Sequence, residues 1–297
     1  FPKLGIFDIN YKTLADLVFN FVFRQELGID PDFSAKEGDT SLTTVDFLKK
    51  MRSKAEEIET ATADYIQDLF SNEYASFGGH EYDSELTPYE NLQFVIEDLS
   101  EELSLQKERL KERPNSQKAW LYKTNSDALK KILRQLKTRR LSLNKDFTGG
   151  LKDLGIQDKG KTGYYSTLAH VYMYSRIIGF SKNNVLKYQY CVVDEGQDFS
   201  PLEYAVLDAF VLHKRFCILG DLNQGYTHRG VNSWEEVAEA LEVSDVKKYY
   251  LDTNYRSTKP IIDLANKILE PFTADYLPKS IDRKGDPVNL AEFQEEA

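Results

Sequence analysis

The sequence predicts an α/β fold, a mostly parallel sheet interrupted by a large all-α insertion. Three observations predict it. Short apolar strands alternate with helices from residue 188 onward, and that alternation builds a parallel sheet covered on both faces. Residues 41–142 show strong helical periodicity and almost no strand signal. Finally, two apolar runs end in carboxylates, at Asp194-Glu195 and at Gly220-Asp221. The carboxyl ends of strands are where open α/β sheets bind ligands.

The elements follow in order. Residues 4–9 have the pattern of a short strand. Residues 13–27 form a helix, with Leu14, Leu17, Val18, Phe21 and Val22 at helical spacing. Asp30-Pro31-Asp32 ends that unit. Residues 42–70 make an amphipathic helix, and 71–83 a loop rich in Gly, Ser and Asn. Thr87-Pro88-Tyr89-Glu90 is a helix start. Thr87 caps, Pro88 suits the first turn, and Glu90 reaches back as a capping-box partner. Its helix carries Leu92, Val95, Leu99 and Leu103 on one stripe and ends before Pro114. A further helix covers 126–141, and 143–163 reads as loop because of Gly149, Gly150, Gly155, Gly160 and Gly163. Residues 165–180 return to helix. Tyr164, Tyr165, Tyr172 and Tyr174 read there as core rather than as a stacking platform. Strands follow at 188–193, 215–219 and 248–251, interleaved with helices at 202–212, 234–241 and 260–269.

The bulk numbers exclude some classes. Lys and Arg number 38 against 48 Asp and Glu, for a net charge of −10. Such a chain is not a general nucleic-acid binder, because phosphate contacts need cations. A local basic surface or a basic protein partner stays compatible with it. No apolar run is long enough to cross a bilayer. Cys191 and Cys217 sit in apolar strands and share no metal-ligand spacing with the four histidines, as in a cytoplasmic protein packed in a reducing compartment.

The chemistry concentrates in three places. In Cys191-Val192-Val193-Asp194-Glu195-Gly196-Gln197-Asp198 a buried strand delivers two adjacent carboxylates to its end. One acid can hold magnesium against nucleotide phosphates, and the other can take a proton from an attacking water. A charged turn is the plain alternative. In Ile218-Leu219-Gly220-Asp221-Leu222-Asn223-Gln224 the terminal amide can orient a water or bind a phosphate oxygen, against an ordinary Asx turn. In Asn254-Tyr255-Arg256-Ser257-Thr258 a guanidinium follows a strand, suited to a γ-phosphate or simply to a surface turn.

Taken together, in this order and spacing, these segments resemble motifs II, III and IV of UvrD/Rep-type superfamily 1 helicases, with a RecA-like P-loop NTPase motor fold. The run Asp198-Phe199-Ser200-Pro201 and its neighbours look most like the HelD branch, whose members bind and recycle RNA polymerase. Thr13-Leu14-Ala15 is a weaker echo of motif Ib. The resemblance implies ATP and Mg2+ as ligands and DNA as substrate. It implies that Asp194 binds the metal, that Glu195 is the general base, and that Gln197 and Gln224 sense the γ-phosphate. Arg256 would contact the γ-phosphate in the transition state, Asp221 would stabilise the motif III turn, and Tyr255 would lie beside the nucleotide.

Two departures accompany it. After Gln224 the family continues to an aromatic that stacks on a base, whereas this chain has Gly225-Tyr226-Thr227-His228-Arg229-Gly230, so that Tyr226 or His228 would have to stack. The Gly155–Thr162 run matches G-x-x-x-x-G-K-[ST] literally but lacks a buried strand before it and lies close upstream of Asp194. It reads as a coincidence, with the true phosphate loop preceding Phe1 and this chain an internal piece. The other option is that Lys161 is genuine and the chain a small complete nucleotide enzyme. Lys130, Lys131, Arg134, Lys137, Arg139, Arg140 and Lys145 form a basic cluster, read as a nucleic-acid or partner contact or as a solvated helix face.

The expected organisation is therefore a piece of the first motor domain at 1–35, a helical insertion at 36–155, the motor core at 156–257, and at 258–297 a linker into a second motor domain. Two functions fit: an ATP-dependent DNA helicase, or an ATPase that remodels RNA polymerase with little unwinding.

Overall fold

The computed structural model describes residues 13–25, 27–32, 40–77, 79–180, 187–225, 229–272 and 277–289. The strand expected at 4–9 lies outside them. α1 (Leu14–Gln25) begins where Thr13 caps it, the Thr13 hydroxyl accepting the Asp16 N–H at 3.1 Å. It buries Leu14, Val18, Phe21 and Val22, as their spacing predicts. The Phe21 ring meets Tyr174, Phe180 and Phe210 edge-on at 5.6, 4.8 and 5.7 Å between centroids. Aromatic edges of this kind prefer such geometry.

The helical region contains α2 (Val45–Asp68), α3 (Pro88–Glu112) and α4 (Ala119–Asp153). The predicted capping box at Thr87 is formed: Glu90 N–H donates to the Thr87 hydroxyl at 3.3 Å, and Thr87 N–H donates to the Glu90 carboxylate at 3.0 Å. α3 and α4 pack together along their length as a hairpin.

α4 corrects the expectation for 143–163. The helix runs through Gly149 and Gly150 to Asp153 instead of ending near 141. The reason is packing. Leu143, Phe147, Gly150 and Leu151 continue the buried stripe of Leu129, Ile132 and Leu136. A Cβ on Gly150 would stand 3.4 Å from Lys54 and 3.5 Å from Met173, in ordinary van der Waals contact, so the position lies where α4 meets two other helices. Burial outweighs the roughly 1 kcal/mol that glycine costs in a helix.

β1 (Ile29–Pro31) pairs in parallel with β2 (Gly160–Thr162). α5 (Tyr164–Ile177) follows and is the centre of the core. Tyr164, Tyr165, Tyr172 and Tyr174 are all buried on it, as core residues. β3 (Cys191–Val193) pairs in parallel with β4 (Phe216–Ile218), with α6 (Pro201–Ala209) between them. This is a strand–helix–strand unit with the direction expected of a parallel sheet. Its register sets Cys191 opposite Phe216 and Val192 opposite Cys217. Side chains alternate along a strand, so the two thiols face opposite sides of the pair.

α7 (Trp234–Ala240), β5 (Thr253–Asn254), α8 (Lys259–Leu269) and β6 (Lys279–Ser280) complete the chain. Two further expectations are corrected. Among the described residues the strands form three separate parallel pairs rather than one continuous sheet. Among the described residues no strand is formed at 248–251, where Tyr249, Tyr250 and Leu251 are 84%, 70% and 87% exposed, and the described ladder begins at Thr253, with β6 alongside.

Candidate functional site

The site is built where β3 and β4 end. Leu219 N–H donates to Val193 O at 2.8 Å, and Gly196 N–H donates to Leu219 O at 2.8 Å. The two strand ends are thereby laced together just beyond their ladder. The second bond forces a tight turn, and Glu195 takes it with left-handed backbone angles, φ 51 and ψ 43. That conformation costs a residue other than glycine about 1 kcal/mol or more. Strain of this kind persists where surrounding bonds over-determine it.

Gly196 and Gly220 allow the close approach. A Cβ on Gly196 would lie 2.6 Å from Ile218 and 2.7 Å from the Tyr204 hydroxyl. On Gly220 it would lie 2.5 Å from the Gln197 amide oxygen and 2.9 Å from the Trp234 ring. Tyr204 donates its hydroxyl to Gly196 O at 2.6 Å and is fully buried, so α6 fixes the turn from below. Ser200 and Glu203 form a capping box at the start of α6, and Tyr164 of α5 donates to the same Glu203 at 2.9 Å. Burial, reinforced by that carboxylate, pushes the Tyr164 phenol well above its ordinary pKa.

A chain of side chains crosses the two strand ends. Gln197 donates its amide to Glu195 Oε2 at 2.8 Å, and its amide oxygen accepts Asp221 N–H at 3.1 Å. Asp221 accepts Asn223 N–H at 3.0 Å through one oxygen and the Gln224 amide at 2.7 Å through the other. Asp194, Glu195 and Gln224 are exposed at the open side, whereas Gln197 is buried beneath them. The structure thus brings Asp194, Glu195, Gln197, Asp221 and Gln224 together.

Asp194 uses one oxygen to accept Glu195 N–H at 3.0 Å, and its side chain is exposed at the open side. That suits magnesium, which takes one or two protein carboxylates and completes its shell with phosphate and water. No cluster of three or more His, Cys, Asp or Glu able to cage a metal occurs among the described residues, so a substrate-completed shell is the donor set that fits.

Other expected site residues lie elsewhere. Arg256 and Tyr255 are exposed beside β5, and Arg256 is bonded through its backbone, its N–H to the Asn254 side chain at 2.9 Å and its carbonyl to Arg283 at 3.1 Å. They share the β5–β6 pair, not the β3–β4 pair. Tyr226 and His228 lie outside the described residues. Lys161 is exposed on β2, in an extended strand rather than at a helix start, with Thr162 turned inward to the Thr167 hydroxyl at 2.9 Å. That is not the geometry of a phosphate-cradling loop.

The basic cluster divides. Arg139 binds Asp146 at 2.5 Å and Thr62 at 3.1 Å, and Arg140 bonds Gln93 and lies 5.4 Å from the Tyr89 ring, so both fasten α4 to its neighbours. Lys130 pairs with Asp127 at 2.8 Å, Lys131 sits 5.8 Å from the Tyr74 ring, and Arg134 is exposed. Sequence reasoning missed Arg229, whose guanidinium lies 5.7 Å from the Tyr165 ring and donates to its hydroxyl at 3.3 Å. It ties the segment after Gln224 to α5, and no local sequence signal marks that long-range contact.

The fold and site are those of a helicase-type domain: the chain belongs to the UvrD/REP helicase N-terminal domain family, whose model matches residues 22–233. The chain is similar to the ATP-dependent DNA helicase PcrA of Staphylococcus epidermidis, 31% identical over 97 residues, which is 32% of this chain and 13% of that protein. It is also similar to PcrA of Staphylococcus aureus, 31% identical over 86 residues, 28% of this chain and 12% of that protein. The matched stretch therefore spans about an eighth of these curated relatives. The expected kinship with the HelD branch and its RNA polymerase partner gains no support from them. No helix of the described residues is long and apolar enough to cross a membrane.

Proposed function

We propose that this chain supplies the metal-holding and water-activating half of an ATP site in a superfamily 1 DNA helicase. One observation carries the reading: the relay Glu195–Gln197–Asp221–Gln224, which joins two strand ends into a single polar surface with Asp194 at its edge. Family membership and the names of the PcrA relatives support ATP and DNA as the ligands.

In this mechanism Asp194 would hold magnesium, and the ion would supply charge neutralisation for the triphosphate. Glu195 accepts the proton of the attacking water, and the Gln197 amide fixes the carboxylate that does so. Gln224 stands ready to hydrogen-bond a phosphate oxygen or the water, and its bond to Asp221 holds it in place until then. Arg256 contacts the γ-phosphate in the transition state, approaching from the β5–β6 pair; Tyr255 flanks the nucleotide there. Helices α2 to α4 form an insertion in the motor domain.

The test is Glu195→Gln in the full-length protein. Loss of a general base costs about 10²–10⁴ in turnover, with ATP binding retained. Unchanged hydrolysis would remove Glu195 from its role. Turnover indifferent to DNA, in a protein that co-purifies with RNA polymerase, would replace the helicase reading with the polymerase-remodelling one.

A further inference from the structure

The hairpin of α3 and α4 ends in a tip unlike the rest of the molecule. No residue from 107 to 125 is buried. Gly150, at the other end of α4, is packed against Lys54 and Met173. At 1.5 Å per residue the tip stands about 46 Å from that point along the helix. The turn itself is closed, with Ser116 N–H bonded to Arg113 O at 3.2 Å and Ala119 N–H to Ser116 O at 3.0 Å. The tip is therefore an ordered projection.

Its charge opposes that of the chain. Lys107, Arg109, Lys111, Arg113, Lys118 and Lys123 face two carboxylates, Glu108 and Glu112, in a protein of net charge −10. Among the described residues none of these six cations forms an ion pair, whereas Lys130 and Arg139 further along α4 do. In their midst Trp120 is 67% exposed. It lies on the side of α4 turned away from the stripe that packs on α3, and Lys123, one turn on, shares its face. A tryptophan outside the core, framed by cations that form no ion pair among the described residues, although Lys123 acts electrostatically on Asp127, matches the recognition chemistry of an unpaired nucleic-acid strand. The ring offers a π-face for a base, and the cations meet phosphates. An acidic protein surface could also use the cations and the ring, and the test below separates the two.

We propose that the α3–α4 tip is a contact for single-stranded nucleic acid, with Trp120 stacking on a base and Lys118 and Lys123 meeting the backbone. Lys123 lies about two helical turns before Lys130, where the basic cluster at Lys130–Arg140 begins. The proposed contact rests on the helicase reading only for the identity of the strand as DNA.

The test uses the full-length protein and a dT20 oligonucleotide carrying 5-iododeoxyuridine. Photocrosslinking followed by peptide mapping should place an adduct on Trp120. Trp120→Ala should remove that adduct and weaken binding about tenfold by fluorescence anisotropy, and Trp120→Phe should restore much of it. Lys118→Glu with Lys123→Glu should flatten the salt dependence by about 0.7 in log–log slope for each phosphate that is no longer neutralised. All of these side chains are exposed, and circular dichroism confirms folding. Adducts confined to residues outside 107–125 would overturn the proposal. So would equal capture of dT20 and polyglutamate with neither changed by Trp120→Ala, an outcome that would assign the tip to an acidic protein. A Trp120 adduct in a protein whose ATP turnover ignores DNA would support the tip contact and sink only the helicase reading.

Discussion

The Gln197 side-chain oxygen accepts the backbone N–H of Asp221 at 3.1 Å, across 24 residues of chain. The same carboxamide donates to Glu195. One buried side chain therefore reports the position of β4's end to the carboxylate at β3's end. Charging it should uncouple them.

Gln197→Glu keeps an acceptor for Asp221 but removes the donor and sets a second carboxylate beside Glu195. In the full-length protein we expect ATP turnover to fall by about 10²-fold or more, as when a catalytic base loses its positioning. Nucleotide affinity should change far less. Steady-state hydrolysis together with nucleotide-binding titration would check it, and an unchanged rate would show that the amide merely packs.

Gly220→Ala tests the close approach. Its methyl would meet the Gln197 oxygen and the Trp234 ring inside contact distance. Overpacking of this kind costs about 1–3 kcal/mol, so thermal unfolding should drop by several degrees. Gly149→Ala is the control. A Cβ there meets nothing within 4 Å, and alanine favours the helix, so stability should hold or rise.

Arg256→Ala should separate chemistry from folding. The side chain is exposed and the hydrogen bonds of Arg256 run through its backbone, so the melting temperature should stay within about a degree, as for most surface substitutions. If the guanidinium meets the γ-phosphate, turnover should fall by about 10³-fold or more. A melting shift with normal turnover would make it a structural residue of the β5–β6 pair.

Buried His170 predicts a pH dependence. Burial lowers its pKa below 6.5, outweighing the bond from its ring nitrogen to Ser166 O at 2.8 Å. The unfolded chain then binds the proton more readily than the folded one. Stability is complete above pH 6.5 and declines as pH falls through that value toward the folded pKa. Melting curves from about pH 7.5 to 5 should show the decline, and His170→Gln should flatten it relative to wild type. Parallel curves would assign the effect to other groups.

Residues whose role depends on neighbours in sequence were legible, and those dependent on distant neighbours were not. The Thr87 capping box could be read because its partners are three residues apart, and it is formed as expected. The order of Asp194-Glu195, Gly220-Asp221 and Gln224 located the strand ends that the structure laces together. The Gln197–Asp221 bond could not be read, since nothing local requires it. Gly150 misled because glycine punctuates chains in general, whereas here it sits within the buried stripe that Leu143, Phe147 and Leu151 continue. Tyr249, Tyr250 and Leu251 misled in the opposite sense, as strand-forming residues that are exposed and carry no strand among the described residues.

The parallel register of β3 and β4 keeps the sulfurs of Cys191 and Cys217 on opposite sides of a two-strand ribbon. An oxidant cannot join these two thiols across the ribbon, so mild oxidation leaves the end that carries Asp194 and Asp221 uncrosslinked by them. Each thiol can instead take a dye separately. A fluorophore on Cys217, four positions ahead of Asp221, would report whether that end of the ribbon responds to added triphosphate.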